Sequence, residues 1–496
     1  MSSRHHLSSP PGFHLPQLSG AADGIVAEAV EPDMFESIYH DTPDLRLSRA
    51  GATLLHRSDE GWIVKLGRET VGGPPLPQDE HRFEGDAREA PEAALDLVRA
   101  LVRTAKVGPV AKLRTRRRRV ELQDEAGKPL GDVLDDEVTV LNGGRVAARF
   151  RELEVELDDA APKGLADALL SRLRAAGAGP PEPTPKVVRA LGWRAMEPPD
   201  VAPLGRLGPS PSAGDLVRGA LAASVVRLIA HDPGVRLGDD PEDVHQARVA
   251  TRRLRSDLRT FRDLLDRDWT QSLRHDLRQL GNDLGAVRDT EVLLERLRTR
   301  IERLPAVDQE TANPIVHRLL QRWDTERRKL RDALRAPSYA ELLDRLVGGA
   351  REPALIGAAA DDSASAVLPP LVRVPWEHLR ATVDELPDDP PDEALHDIRK
   401  RAKHCRYSAE AVAPAVGKPA RAFARAMSDL QDVLGAHQDA VVAEQWLRDV
   451  AAKATGREVF VAGQLASLER LDIERTRAAW HDVWRMANKK RLRQWL

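Results

Sequence analysis

Polar and apolar residues alternate strictly through "RELEVEL" (151–157), with Glu152, Glu154 and Glu156 on one face and Leu153, Val155 and Leu157 on the other. A period of two predicts a strand with one covered side. "GATLLHRS", "GWIVKLGR" and "VAKLRTRRRRVEL" read as further strands, separated by turn-rich pieces such as "VGGPPLPQD" and "EAGKPL". "PEAALDLVRALV" and "GLADALLSRLRAA" carry helical spacing. This mixture predicts an α+β region built on an antiparallel sheet. Residues 176–214 are rich in Pro and Gly and read as a linker holding a short ordered patch. From Leu216 onward the pattern is that of long helices, interrupted by "GGAREPALIG" and "LPDDPPDE". The second region is therefore predicted to be all-helical.

The helical region contains an internal repeat. "EDVHQARVATRRLRSDL" (242–258) matches "DEALHDIRKRAKHCRYSA" (392–409), pairing His245 with His396, Arg248 with Arg399 and Arg255 with Arg406. Further on, "LGNDLGAVRDTEV" (280–292) matches "LQDVLGAHQDAVV" (430–442) at nearly the same interval. Two copies suit two related helical bundles better than a solenoid.

On a helix, His245, Arg248, Arg252, Arg255 and Arg259 fall within an arc of roughly 80°. Ala247, Leu254, Leu258 and Phe261 lie opposite and read as the core face. His396, Arg399, Lys403 and Arg406 repeat the stripe, backed by Ile398, Cys405 and Ala409. Salt-bridging acids four residues away, expected on a solvated charged face, are missing from the first stripe, and no acid of the segment falls within its arc before Asp263. Clustered cations repel one another unless an anion offsets them, and guanidinium groups bind phosphate oxygens in pairs. The stripes predict a linear polyanion as ligand, without saying which one.

Charge and composition narrow this picture. The net charge of −3 argues against a uniformly basic nucleic-acid binder, and 4% aromatic residues leave little material for base stacking. Cys405 is the sole cysteine, which excludes an internal disulfide and a thiolate metal cluster. No segment has the apolar length of a signal peptide or a membrane span, so a cytosolic protein without membrane contact is expected.

The paired "VHQARVATRRLR" and "LHDIRKRAKHCR" helices, with the "LGAVRD" and "LGAHQD" segments read as turns, resemble the CHAD family of conserved-histidine α-helical domains. The resemblance implies two pseudo-symmetric four-helix bundles over 212–496 and a basic surface that binds inorganic polyphosphate. His245, Arg248, Arg252, Arg255, Arg259, His396, Arg399, Lys403 and Arg406 would form that surface, with no cofactor required.

Residues 1–194 resemble the CYTH family of triphosphate tunnel enzymes through "YHDTPDLRLSRAGATLLHR" (39–57), "GWIVKLG" (61–67), "AKLRTRRRR" (111–119), "RELEVEL" (151–157) and "PKVVRALG" (185–192). Residues 195–211 would be the linker. The resemblance implies an antiparallel β tunnel or barrel with flanking helices. In it, Arg57, Lys65, Lys112, Arg114, Arg116 and Lys186 would contact phosphate, while Glu152 and Glu154, with Glu156 beside them, would hold Mg²⁺ or Mn²⁺. Such oxygen ligands and a clamp of cations suit metal-assisted attack of water on a phosphate chain. One departure weighs against hydrolysis. Where the family's first strand reads E-x-E-x-K, this chain carries Ser2, Arg4 and His6.

The expected function is therefore a non-catalytic polyphosphate-binding protein associated with polyphosphate granules. The alternative is a metal-dependent triphosphatase or polyphosphatase tethered to its polymer. Nucleic acid remains a weaker third candidate, since the stripes would attract any polyanion.

Overall fold

The computed structural model describes residues 3–67, 79–203, 205, 208 and 210–496. Ser2, the turn-rich piece from 71 to 78 and parts of the linker lie outside the described residues. The chain divides into two compact units, the first ending at Pro199 and the second starting at Asp200.

Among the described residues the first unit holds nine strands: β1 (Ser3–Ser9), β2 (Ile25–Ala29), β3 (Asp33–Asp41), β4 (Thr53–Arg57), β5 (Gly61–Leu66), β6 (Asp79–Phe83), β7 (Gly108–Asp124), β8 (Pro129–Asn142) and β9 (Arg145–Leu157). They form one antiparallel sheet in the order β1-β9-β8-β7-β3-β4-β5-β6, with β2 also paired to β7. Helices α1 (Arg46–Arg49), α2 (Glu92–Val102), α3 (Leu165–Ala175) and α4 (Lys186–Leu191) accompany it.

Both faces of this sheet are covered, but at different ends. Leu122, Val133, Leu153, Val155 and Leu157 pack under Leu165, Leu169 and Leu173 of α3. On the other face, Leu113, Val138 and Val140 pack under Val187 and Val188 of α4. The apolar side of β8 therefore changes from Val133 to Val138 and Val140, which breaks the alternation a strand with one covered face would show. The sequence reading missed β8 for this reason.

The second unit contains α5 (Ala213–Leu237), α6 (Pro241–Thr260), α7 (Arg267–Ile301), α8 (Ala306–Thr311), α9 (Asn313–Arg335), α10 (Pro337–Arg351), α11 (Ala364–Val367), α12 (Pro369–Asp384), α13 (Asp392–Val416), α14 (Lys418–Ala451) and α15 (Arg457–Ala487). Helices α5, α6, α7 and α9 pack in succession with α10 returning onto α5, and α12 to α15 pack in succession as a second set; the ends of α7, α9, α14 and α15 share one apolar core. Local chemistry starts the helices. Ser212 and Asp215 cap α5 reciprocally, and Asp240 accepts from the Glu242 amide one residue ahead of Pro241. Ala247, Leu254 and Leu258 are buried on α6 and Phe261 at its C-cap, as Ile398, Cys405 and Ala409 are on α13.

"LGAVRD" and "LGAHQD", read above as turns, lie in the interiors of α7 and α14. A glycine there costs about 1 kcal/mol relative to alanine. A guanidinium lies against each of Gly285 and Gly435 at ordinary van der Waals distance, which leaves room for a methyl group but not for a large side chain. A Cβ on Gly285 would stand 3.8 Å from Arg248, and one on Gly435 would stand 3.5 Å from Arg399.

Candidate functional site

Helices α6 and α13 pack against each other, so the two cationic stripes meet. Thr260 and Ser408 hydroxyls bond at 2.9 Å, and Arg253 of α6 pairs with Glu410 of α13. Between them the ring of Tyr407 lies under three guanidiniums, with Arg252, Arg253 and Arg406 at 5.5, 5.4 and 5.2 Å from its centroid. Lys403 shows the merger most directly. Burial, then the charges of Arg252, Arg399, Arg248 and Arg406, push its ammonium down to about 7 from an ordinary 10.5. Two of those four arginines come from each stripe. Among the described residues, no carboxylate lies within ion-pair distance of Arg252, Arg255, Arg259, Arg399 or Lys403. The buried Arg252 Nε and His396 Nδ1 also lack hydrogen-bond partners.

The stripes are not wholly free of acids, because tertiary packing supplies some. Asp289 of α7 accepts from Arg248 at 2.7 Å, and Glu410 accepts from Arg406 at 2.9 Å. His245 is held below its usual range by burial and by Arg288, and His396 by burial and by Lys400. Both therefore favour the neutral imidazole.

In the first unit, cross-strand register decides which residues share a face. Glu152 pairs with Asp136 and Asp136 with Arg117, while Glu154 pairs with Leu134 and Leu134 with Arg119. The odd positions of β7 thus lie on the carboxylate face. Lys112, Arg114 and Arg116 lie on the opposite face, a correction to the expected phosphate clamp. Lys112 and Arg114 pair there with Glu36 at 2.8 and 3.0 Å, and Arg116 stands 4.0 Å from Glu137. In a run of five cations within six residues, spacing alone could not show which parity faces inward. The cross-strand partners do.

Arg57, Lys65 and Lys186 do lie on the carboxylate face, but each is already compensated. Arg57 bonds Asp59 and Glu60 at 2.6 and 2.8 Å, and Lys65 pairs with Glu80 at 2.9 Å. Lys186 bridges Asp136 and Glu152, with 3.0 Å to the latter, while Arg189 reaches Glu152 at 3.2 Å. Burial opposes the charge on Asp136, yet Lys186 and Arg117 hold it down at about 2. Arg117, Asp136 and Arg189 were not singled out from sequence, because β8 was unassigned and Arg117 sat inside an arginine run.

Of the carboxylates expected to hold a metal, Glu152 is taken by Lys186 and Arg189, while Glu154 and Glu156 face side chains of the first strand. In β1, Arg4 pairs with Glu156 at 3.0 Å and His6 with Glu154 at 3.5 Å, each directly across from its partner. Burial and the Glu154 charge push Glu156 up to about 7, outweighing Arg4, so the pair shares one proton near neutrality. Among the described residues, no group of three or more His, Cys, Asp or Glu side chains is placed to hold a metal ion. Glu152, Glu154 and Glu156 in this setting do not fit Mg²⁺ or Mn²⁺. Among the described residues, no helix is long and apolar enough to cross a membrane.

Comparison with known proteins assigns both units. The CYTH domain model matches residues 11–181 and the CHAD domain model residues 219–448. An uncharacterized protein of Mycobacterium tuberculosis is 33% identical over 491 residues, covering 93% of this chain and 91% of its own. Among solved structures, PptA from Streptomyces chartreusis is similar at 24% identity and a TM-score of 0.48, covering 55% of this chain and 100% of its own. The CHAD domain from the plant Ricinus communis is similar at 26% identity and a TM-score of 0.45, covering 56% of this chain and 96% of its own.

Proposed function

The chain belongs to the family that joins a CYTH domain to a CHAD domain, and we propose that its helical unit binds inorganic polyphosphate while its sheet unit is non-catalytic. The observation that carries the reading is the merged face of α6 and α13, where Lys403 is half-buried among four arginines, of which only Arg248 and Arg406 have carboxylate partners, and where Lys403 itself has none at ion-pair distance among the described residues. Such a face lowers the stability of the free protein, and a ligand with closely spaced negative charges offsets that cost. The rise of 1.5 Å per helical residue presents His245 to Arg259 over about 21 Å, a track rather than a pocket. A linear phosphate chain suits it better than a duplex, because the face carries cations but no groups arranged to read bases. In the sheet unit, Arg4, Lys186 and Arg189 take the charge-balancing role that a divalent ion would otherwise have, which supports the absence of hydrolysis.

The test is titration of the full chain with long-chain polyphosphate at several salt concentrations, with DNA as competitor. Saturable binding at physiological salt that survives the competitor is expected, and equal binding to DNA would overturn the reading. In parallel, phosphate release from tripolyphosphate with Mg²⁺ or Mn²⁺ is expected to be absent. Release that is lost on Glu152→Gln would establish the triphosphatase alternative instead.

A further inference from the structure

Helix α7 contributes cations that the repeated motif does not contain. Arg274, Arg278, Gly281 and Gly285 are spaced by four, three and four residues, so they lie on one face of α7. That face meets the stripe of α6, since a Cβ on Gly281 would stand 3.6 Å from Arg255 and one on Gly285 would stand 3.8 Å from Arg248. The line continues past Gly281 to Arg278 and Arg274. Burial and the charges of Arg259, Arg255, Arg278 and Arg262 all disfavour the charge on Arg274, which places these groups together at one end of the bundle. His404 of α13 joins them, pushed to about 4 by burial and by Arg259, Arg262 and Arg274, and its buried Nε2 has no hydrogen-bond partner. Among the described residues, Arg255, Arg259, Arg274 and Arg278 have no carboxylate at ion-pair distance, whereas Arg262 has Asp263 at 3.5 Å.

The second half does not repeat this arrangement. With Arg248 set on Arg399 and Gly285 on Gly435, Arg259 corresponds to Glu410, Arg278 to Ser428 and Arg274 to Ala424. Arg406, the counterpart of Arg255, is used internally, donating to Glu410 at 2.9 Å and to Ser428 at 3.1 Å. One end of the merged face is therefore closed by an acid, and the other is open and cationic.

We propose that Arg255, Arg259, Arg274, Arg278 and His404 form an outer anion subsite, continuous with the central patch and present on the first half only. A linear phosphate chain then lies asymmetrically across the pseudo-symmetric bundles, and only a chain long enough to leave the central patch reaches the outer subsite. This rests on the polyphosphate reading and adds a length preference to it.

The test compares tripolyphosphate with long-chain polyphosphate on the full chain, wild type and Arg274→Glu/Arg278→Glu, by calorimetric titration. The variant should bind the long chain about tenfold or more weakly, with less than about twofold change for tripolyphosphate, which the central patch holds alone. Arg274→Gln/Arg278→Gln, which adds no repulsion, should show the same selectivity at smaller size and guards against misfolding of the Glu variant. Equal loss for both ligands, or no loss for either, overturns the outer subsite while leaving polyphosphate binding intact. Failure of the wild type to bind either ligand overturns the underlying reading instead.

Discussion

Replacing Lys403 by methionine should make the free protein more stable and a poorer ligand binder. Lys403 has an ordinary pKa of 10.5 and is held at about 7 in the fold by burial and by Arg252, Arg399, Arg248 and Arg406. At pH 7 the unfolded chain carries a full charge there that the folded chain resists. At about 1.36 kcal/mol for each pKa unit, the cost is about 5 kcal/mol at most. Methionine keeps the length and the apolar stem without the charge, so a gain on the order of 2 kcal/mol is expected. Hydrogen exchange of α6 and α13 amides in the full chain reads this gain for the helical unit alone. The sign of the pH dependence follows from the lowered pKa. Between about 7 and 10.5 the unfolded chain binds more protons at this position than the folded one. Wild-type stability therefore rises with pH through that window, and Lys403→Met loses the slope. Polyphosphate should return the proton to Lys403, so binding at pH 7 takes up protons in the wild type and the variant lacks that share. Loss of one charge-assisted contact should weaken binding by about tenfold. A destabilised variant with unchanged affinity would refute the reasoning, because the ammonium would then have an unrecognised partner that holds it.

Two further outcomes test other parts of the structure. A Cβ on Gly435 would stand 3.5 Å from the Arg399 guanidinium; Gly435→Ala should therefore be tolerated and add up to about 1 kcal/mol of helix stability, whereas Gly435→Leu should displace Arg399 and weaken polyphosphate binding by about tenfold, as read by titration. Glu156, pushed up to about 7 by burial and by Glu154, binds more protons folded than unfolded between about 4.5 and 7; stability of the sheet unit should fall as pH rises through that window, and Glu156→Gln should remove the fall, measured by hydrogen exchange of β1 and β9 amides at pH 5 and 7.

Much of this protein is written in short-range pattern. The alternation of "RELEVEL" placed Glu152, Glu154 and Glu156 on one face of a strand, and the helical spacing of α6 and α13 placed each cationic stripe opposite its buried one. Those features need only the period of one element, which local sequence carries. Three other features depend on what lies across from an element. The inward parity of β7 is set by its pairing with β8, so Arg117 rather than Arg116 meets the carboxylates. The glycines of α7 and α14 look like turn residues until Arg248 and Arg399 come to rest against them. The meeting of two stripes around Lys403, and the addition of Arg274 and Arg278 at one end only, arise from helix packing between segments far apart in sequence. The chain alone determined where its charges lie on each helix and strand. Only the tertiary structure decided which charges face each other, because electrostatic energy depends on distance through space and on burial, and neither is fixed until the elements pack.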